Sequence, residues 1–311
     1  MFDDERMRIL ERLEKGEITA AEAEELLEAL EAGAEEEDRD VEDAGGEFTD
    51  ITEWSPRGRI TELRVDGFMG GIAARAGDTT LVVATLRARA DDAGAAKKLF
   101  EKAKLTFEEE GGKAHVKADM TKGIFDLFRG AKVKVDFDVT LPADVPFVAN
   151  YGTGPLKTEG IAAVSANFGN GNVETDAARL ELNLGNGKIV SRGARELDVN
   201  GGNVRLSLQE ADGLEKFKFN SGNGKVEMDM KRLPESADYA MNFGNGKVHL
   251  ALAHKPKDCL ITFEALSSKM ETDIPFDKEG TKMVYADGEP KARVKVNAAN
   301  VKGVIKIEED K

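Results

Sequence analysis

The sequence predicts a mainly β protein: a β-solenoid preceded by a small N-terminal two-helix module. Three observations carry this. Six turns of the form Asn-x-Gly open at Asn150, Asn167, Asn183, Asn200, Asn220 and Asn242, stepping by 17, 16, 17, 20 and 22 residues. A recurring period of this kind marks a repeat architecture. A β-branched residue, or Leu156 in the first copy, follows each turn, so one corner is cut once per repeat. The repeats differ in length mainly opposite the turn, between Gln209 and Lys216 and between Lys231 and Tyr239.

Asn-Gly also favours tight hairpins, so an antiparallel meander is the competing fold. Stacking is preferred because it accounts for the recurrent leading asparagine. Side-chain amides on parallel neighbours about 4.8 Å apart can hydrogen-bond as a ladder. Gly169, Gly185, Gly222 and Gly244 complete the turns and are expected to supply positive φ.

The net charge of −15 is uneven. Residues 1–50 hold 20 acidic and 5 basic side chains, while residues 51–311 hold 39 of each. The balance of the larger part shows no basic footprint for nucleic acid, and no nucleic-acid partner is expected. One cysteine, Cys259, excludes an internal disulfide framework. No apolar run reaches the roughly 18 residues of a membrane span. The opening Met-Phe-Asp-Asp-Glu has no basic stretch leading into an apolar core, so a cytoplasmic location is expected, with peripheral membrane association as the alternative.

Within residues 1–31, Ile9, Leu10 and Leu13, then Leu26, Leu27 and Leu30, fall at helical spacing on two short helices broken at Gly16. Thr19 and Glu22 suit a capping box for the second. Two such helices cannot bury a core alone, so these stripes are assigned to self-association, making a homo-oligomer the expected state. Residues 32–50 read as an acidic linker kept extended by like charge.

Residues 51–311 read as the β-strand-repeat domain, regular over 150–255. Ile60–Val65, Thr79–Ala88, Leu105–Glu109, Ala114–Ala118 and Val133–Leu141 alternate as half-buried strands do. Ala93–Ala103 reads as a short helix turning Ala96, Leu99 and Phe100 inward. Phe125, Leu127 and Phe128, ringed by cations, are a candidate membrane contact; capping one end of the core is the other use for them. Strands continue over Arg293–Val296 and Val301–Ile307, and the polar last residues are expected to discourage stacking at that edge.

No cofactor, metal or catalytic group is assigned. His249, His254 and Cys259 recur every five residues, which alternates strand faces and does not converge on zinc. His115 sits in no catalytic pattern. Gly-Asn-Gly-Lys runs into another strand rather than a phosphate-binding helix. Its turns lack the carboxylates a calcium ion requires.

Leu141-Pro142-Ala143-Asp144, followed by the recurring Asn-x-Gly-Asn-Gly turns, resembles the bacterial putative-adhesin (Toastrack) β-strand-repeat family over roughly residues 60–307. The head, through Lys15-Gly16-Glu17-Ile18-Thr19 to Leu26-Leu27, looks like a SHOCT-like helical module. The pairing resembles the LiaX-like proteins of cell-envelope stress. This resemblance implies a right-handed β-helix, no enzymatic activity and a scaffolding role among membrane-stress proteins, with no binding residues to carry over. The alternatives are a sensor of membrane surfaces or cationic antimicrobial peptides and, more remotely, a carbohydrate-active β-helix enzyme.

Overall fold

The computed structural model describes residues 46–120 and 133–308. The helices expected within 1–31, and Phe125, Leu127 and Phe128, lie outside the described residues. Strands β1 (Gly46–Trp54), β2 (Glu62–Met69), β3 (Ile72–Ala76) and β4 (Leu81–Ala90) precede helix α1 (Ala93–Lys102). Then come β5 (Ala103–Glu110), β6 (Lys113–Met120) and β7 (Val133–Leu141). The repeats supply β8 (Phe147–Thr153), β9 (Leu156–Glu159), β10 (Ala163–Asn170), β11 (Val173–Thr175), β12 (Arg179–Arg192), β13 (Glu196–Gln209), β14 (Lys216–Met230) and β15 (Asp238–Leu252). After them run β16 (Cys259–Thr272), β17 (Asp277–Glu279), β18 (Lys282–Asp287) and β19 (Ala292–Ile307).

The Asn-x-Gly turns are not hairpins. β12 to β15 run unbroken through them, and β8, β10, β12, β13, β14 and β15 pair in parallel, each with the next. The register sets Asn150 against Asn167, Asn167 against Asn183, and so on to Asn242. Length differences fall in the connections. Only residues 193–195 join β12 to β13, whereas 231–237 join β14 to β15. Antiparallel pairs, β4 with β7, β5 with β6, and β18 with β16 and β17, lie outside the repeats.

Four expectations shift. β1 starts at Gly46, inside the span read as linker. β3, five residues rich in alanine, carries too few large apolar side chains to announce itself. Arg293–Val296 and Val301–Ile307 are one strand. That strand, β19, does not finish at an edge: it inserts between β15 and β16, parallel to both. Val294, Val296, Val301 and Ile305 are buried there. Full ladders on both sides satisfy more backbone groups than an edge position would.

Parallel register turns alternation into columns. Leu182, Val199, Phe219, Met241 and Val296 stand side by side, as do Leu180, Leu197, Phe217, Tyr239 and Val294. All ten are buried. Phe219 lies 5.3 Å from Phe243 and 6.2 Å from Phe217, centroid to centroid. On α1, Asp92 accepts from the Ala95 amide at 2.7 Å, closing the helix start. Ala96 is fully buried and Leu99 and Phe100 pack partly against the core.

Phe219→Ala removes a wholly buried ring from the middle of a column. Unfolding in denaturant is expected to show a loss of about 3–5 kcal/mol. A loss below about 1 kcal/mol would mean the column can collapse around the gap.

Candidate functional site: the asparagine corner

The corner where β12 to β15 bend carries two columns of side-chain amides on an exposed face. In the first, Asn167 donates through Nδ2 to Asn150 Oδ1 at 2.6 Å, and Asn183 to Asn167 at 2.7 Å. Asn220 donates to Asn200 and Asn242 to Asn220, both at 2.8 Å. Asn297 of β19 continues the series onto Asn242 at 2.9 Å. Asn200 turns instead to Asp198 Oδ1 at 3.2 Å, interrupting it. Three residues along the chain a second column runs from Asn300 through Asn245, Asn223, Asn203 and Asn186 to Asn170, with bonds of 2.6–3.0 Å.

Sequence reasoning singled out only the leading asparagines. It missed the second column and the copy on β19. The signal for that copy was present: Asn297-x-x-Asn300-Val301 repeats the spacing of Asn200-x-x-Asn203-Val204.

Between the columns run the glycines. Gly169, Gly185, Gly222 and Gly244 do not have positive φ, so the expected reason for them is wrong. A Cβ on Gly185 would stand 2.2 Å from the Gly169 carbonyl oxygen. On Gly169 it would meet the Gly152 oxygen at 2.5 Å, and on Gly244 the Gly222 oxygen at 2.6 Å. Gly222 has more room, with the Gly202 oxygen 3.1 Å away. At most of these positions glycine is required because the neighbouring strand's carbonyl occupies the space.

Apart from Asn200, every amide in the first column donates to the neighbour of lower residue number, so the column is polar. Its donor end closes on Asp66: Asn150 Nδ2 reaches Asp66 Oδ1 at 2.6 Å. Arg64 Nε at 2.9 Å and His115 Nε2 at 2.8 Å share that carboxylate. Burial alone would raise the Asp66 carboxyl, but bonds from Arg64, Asn150 and His115 outweigh it and hold it below the ordinary range. Lys117 stands beside Asp66 in register, and Glu264 beside Asn297 at the far end. A groove of about 920 Å³ follows the first four asparagines from Asp66.

The histidines and the cysteine do not converge. His249 pairs in register with Glu227 and Val304, and Cys259 with Ala292 and Asp287. Burial pushes the Cys259 thiol up to about 11, away from reactivity. No group of three or more His, Cys, Asp or Glu able to hold a metal occurs among the described residues. No helix among them is long and apolar enough to cross a membrane.

Residues 4–35 match the family model of the SHOCT-like domain, which bears out the resemblance read in the head. No curated protein matches the chain. Among solved structures, the chain is similar to a putative adhesin from Parabacteroides merdae, at 11% identity over 83% of this chain and 96% of that one, TM-score 0.43. It is similar to a putative lipid binding protein from Parabacteroides distasonis, at 12% identity over 84% and 98%, TM-score 0.42. A putative cell adhesion protein from Clostridium sporogenes gives 11% over 84% and 99%, TM-score 0.26. At these TM-scores the likeness assigns neither ligand nor activity.

Two measurements check the corner. Gly185→Ala is expected to cost about 1–3 kcal/mol through the clash with the Gly169 carbonyl. Gly213→Ala, with open space around it, is expected to stay within about 0.5 kcal/mol. Asp66→Asn keeps an acceptor for Asn150 but removes the charge. Because the folded carboxyl is held low, its contribution is present above the ordinary aspartate value of 3.8 and is lost as pH falls through the lower folded value. Calorimetry should find wild type more stable than Asp66→Asn near neutral pH, the gap closing in acid; a gap independent of pH contradicts this account.

Proposed function

We propose that this protein is a non-enzymatic interaction scaffold. Its strand repeats form a right-handed β-solenoid presenting the asparagine corner as a docking surface, and its N-terminal head clusters copies of that surface. The observation that carries the reading is the corner itself. Exposed side chains there are tied to one another by amide hydrogen bonds before any partner arrives. A surface held this way loses less conformational freedom on docking than free side chains do.

The head supplies the clustering. The stripes Ile9, Leu10, Leu13 and Leu26, Leu27, Leu30 need apolar cover that two short helices cannot give each other. A second copy of the same stripes is the simplest cover. The link to cell-envelope stress, with partners among membrane-stress proteins or at a membrane periphery, rests on the family resemblance; the SHOCT-like match over residues 4–35 supports the identity of the head alone.

Light scattering after size exclusion tests the clustering. The full-length chain is expected to be oligomeric and residues 51–311 monomeric. Two monomers remove the head's assembly role. Two oligomers move self-association to the β domain.

A further inference from the structure

Residues 51–311 are neutral overall, with 39 acidic and 39 basic side chains, yet the fold sorts them. Two residues beyond the second amide column on five strands stand Lys188, Arg205, Lys225, Lys247 and Lys302, and on β16, where Ser267 takes the amide's place, Lys269 continues the row. They occupy one register position on six consecutive parallel strands. At about 4.8 Å per strand the column is about 24 Å long. Like charges directly opposite one another destabilise a sheet.

The same strands show the arrangement that avoids this cost. At their other end Arg179, Glu196, Lys216, Asp238 and Arg293 occupy one register position with alternating sign. Arg179 and Lys216 both pair with Glu196, at 3.0 and 3.3 Å.

Three carboxylates beside the cation column are engaged, Glu227 by the column's own Lys225. Glu174 pairs with Arg192 at 2.9 Å, Glu227 with Lys225 at 2.7 Å and Glu271 with Lys306 at 3.3 Å. Lys188, Lys247, Lys302 and Lys269 form no ion pair among the described residues. Lys188, Lys302 and Lys269 are exposed.

We propose that this corner binds a linear anionic polysaccharide. The polymer lies across the strands, its acidic groups on the cation column and its hydroxyls on the adjoining amides. A carboxamide has two N–H donors and an oxygen with two lone pairs. Column bonding uses one donor and one lone pair at an inner rung, so Asn186, Asn203, Asn223 and Asn245 keep a donor and an acceptor for hydroxyls. Both columns share the spacing of the strands, so a polymer with a similar repeat meets equivalent groups at every rung. A bilayer surface calls for apolar side chains beside the cations. Single-stranded nucleic acid calls for aromatic platforms. Two residues back on the amide side of Lys188, Arg205, Lys225, Lys247 and Lys302 stand asparagines, which favour sugar hydroxyls; Lys269 has Ser267 there, and one exposed apolar side chain, Leu266, beside it.

The inference rests on the corner being a docking surface and names what docks. Its test is electrophoresis of the full-length chain through gels containing polygalacturonate. The chain is expected to be retarded, less so as salt rises. Lys188→Gln/Lys247→Gln/Lys302→Gln is expected to weaken retardation about tenfold, from three solvent-screened contacts. The same three positions as arginine should stay within about twofold of wild type, because an exposed contact of this kind depends mainly on charge. Lys216→Gln/Arg293→Gln, in the row of alternating sign at the other end of the strands, should change nothing. The glutamine triple variant should melt no lower than wild type, because repulsion is relieved.

Four results overturn the proposal. They are no retardation by polygalacturonate, equal retardation by neutral dextran, full retention by the glutamine variant, and displacement of the polymer by lower concentrations of single-stranded DNA or anionic phospholipid vesicles. Loss of polymer binding in a chain that still self-associates refutes the ligand and leaves the scaffold standing.

Discussion

Each residue in the parallel stack meets its own counterpart one strand away, at a spacing of about 4.8 Å set by backbone hydrogen bonds. Everything else depends on that constraint. A side chain that pairs well with itself gains at every rung, and one that does not loses at every rung. Leucine, valine and phenylalanine pair well and fill the interior columns. Asparagine pairs well because one amide both donates and accepts. Glycine recurs where the neighbouring strand's carbonyl leaves no room for a Cβ. Charge pairs badly with itself, so the Arg179 position alternates in sign from strand to strand.

An amide column also has a direction. Its donors all point one way, so the donor end carries the positive end of the aligned dipoles. The first column closes that end on a carboxylate, Asp66, which also collects Arg64 and His115. The charge is stabilised there despite its burial, and the column in turn has its last donor satisfied. Asn200 is the exception. Its amide serves Asp198, so the column is two runs meeting at one rung.

The exposed corner is therefore organised and chemically uniform. Two amide columns flank a glycine strip, and a line of cations follows. The neutral balance of residues 51–311 concealed that line, because net charge counts side chains without regard to the strand that places them. The rigidity of the amides and the single sign of the cations fit a surface that holds an extended partner rather than a pocket that encloses a small one.

The period, the corner and the position of the length changes were legible in the sequence, because each is local to one repeat. Asn150 to Asn242 announce the corner, and the extra residues before Lys216 and Tyr239 fall in connections, as their spacing implies. The helix at Ala93–Lys102 was legible too, from the spacing of Ala96, Leu99 and Phe100. What decided the rest was which strand lies beside which. β19 inserts between β15 and β16, bringing Asn297 and Asn300 into columns from which they are 55 residues distant in the chain. The glycines at Gly169, Gly185 and Gly244 answer to a carbonyl one strand away, a contact no local reading contains. Lys188, Arg205, Lys225, Lys247, Lys302 and Lys269 become one line only when six strands are laid in register. The sequence by itself determined the repeat and its corner, since spacing along one chain sets them. The tertiary structure alone decided the order of the strands and the charge of the surface, since both arise from contacts between residues that the chain keeps far apart.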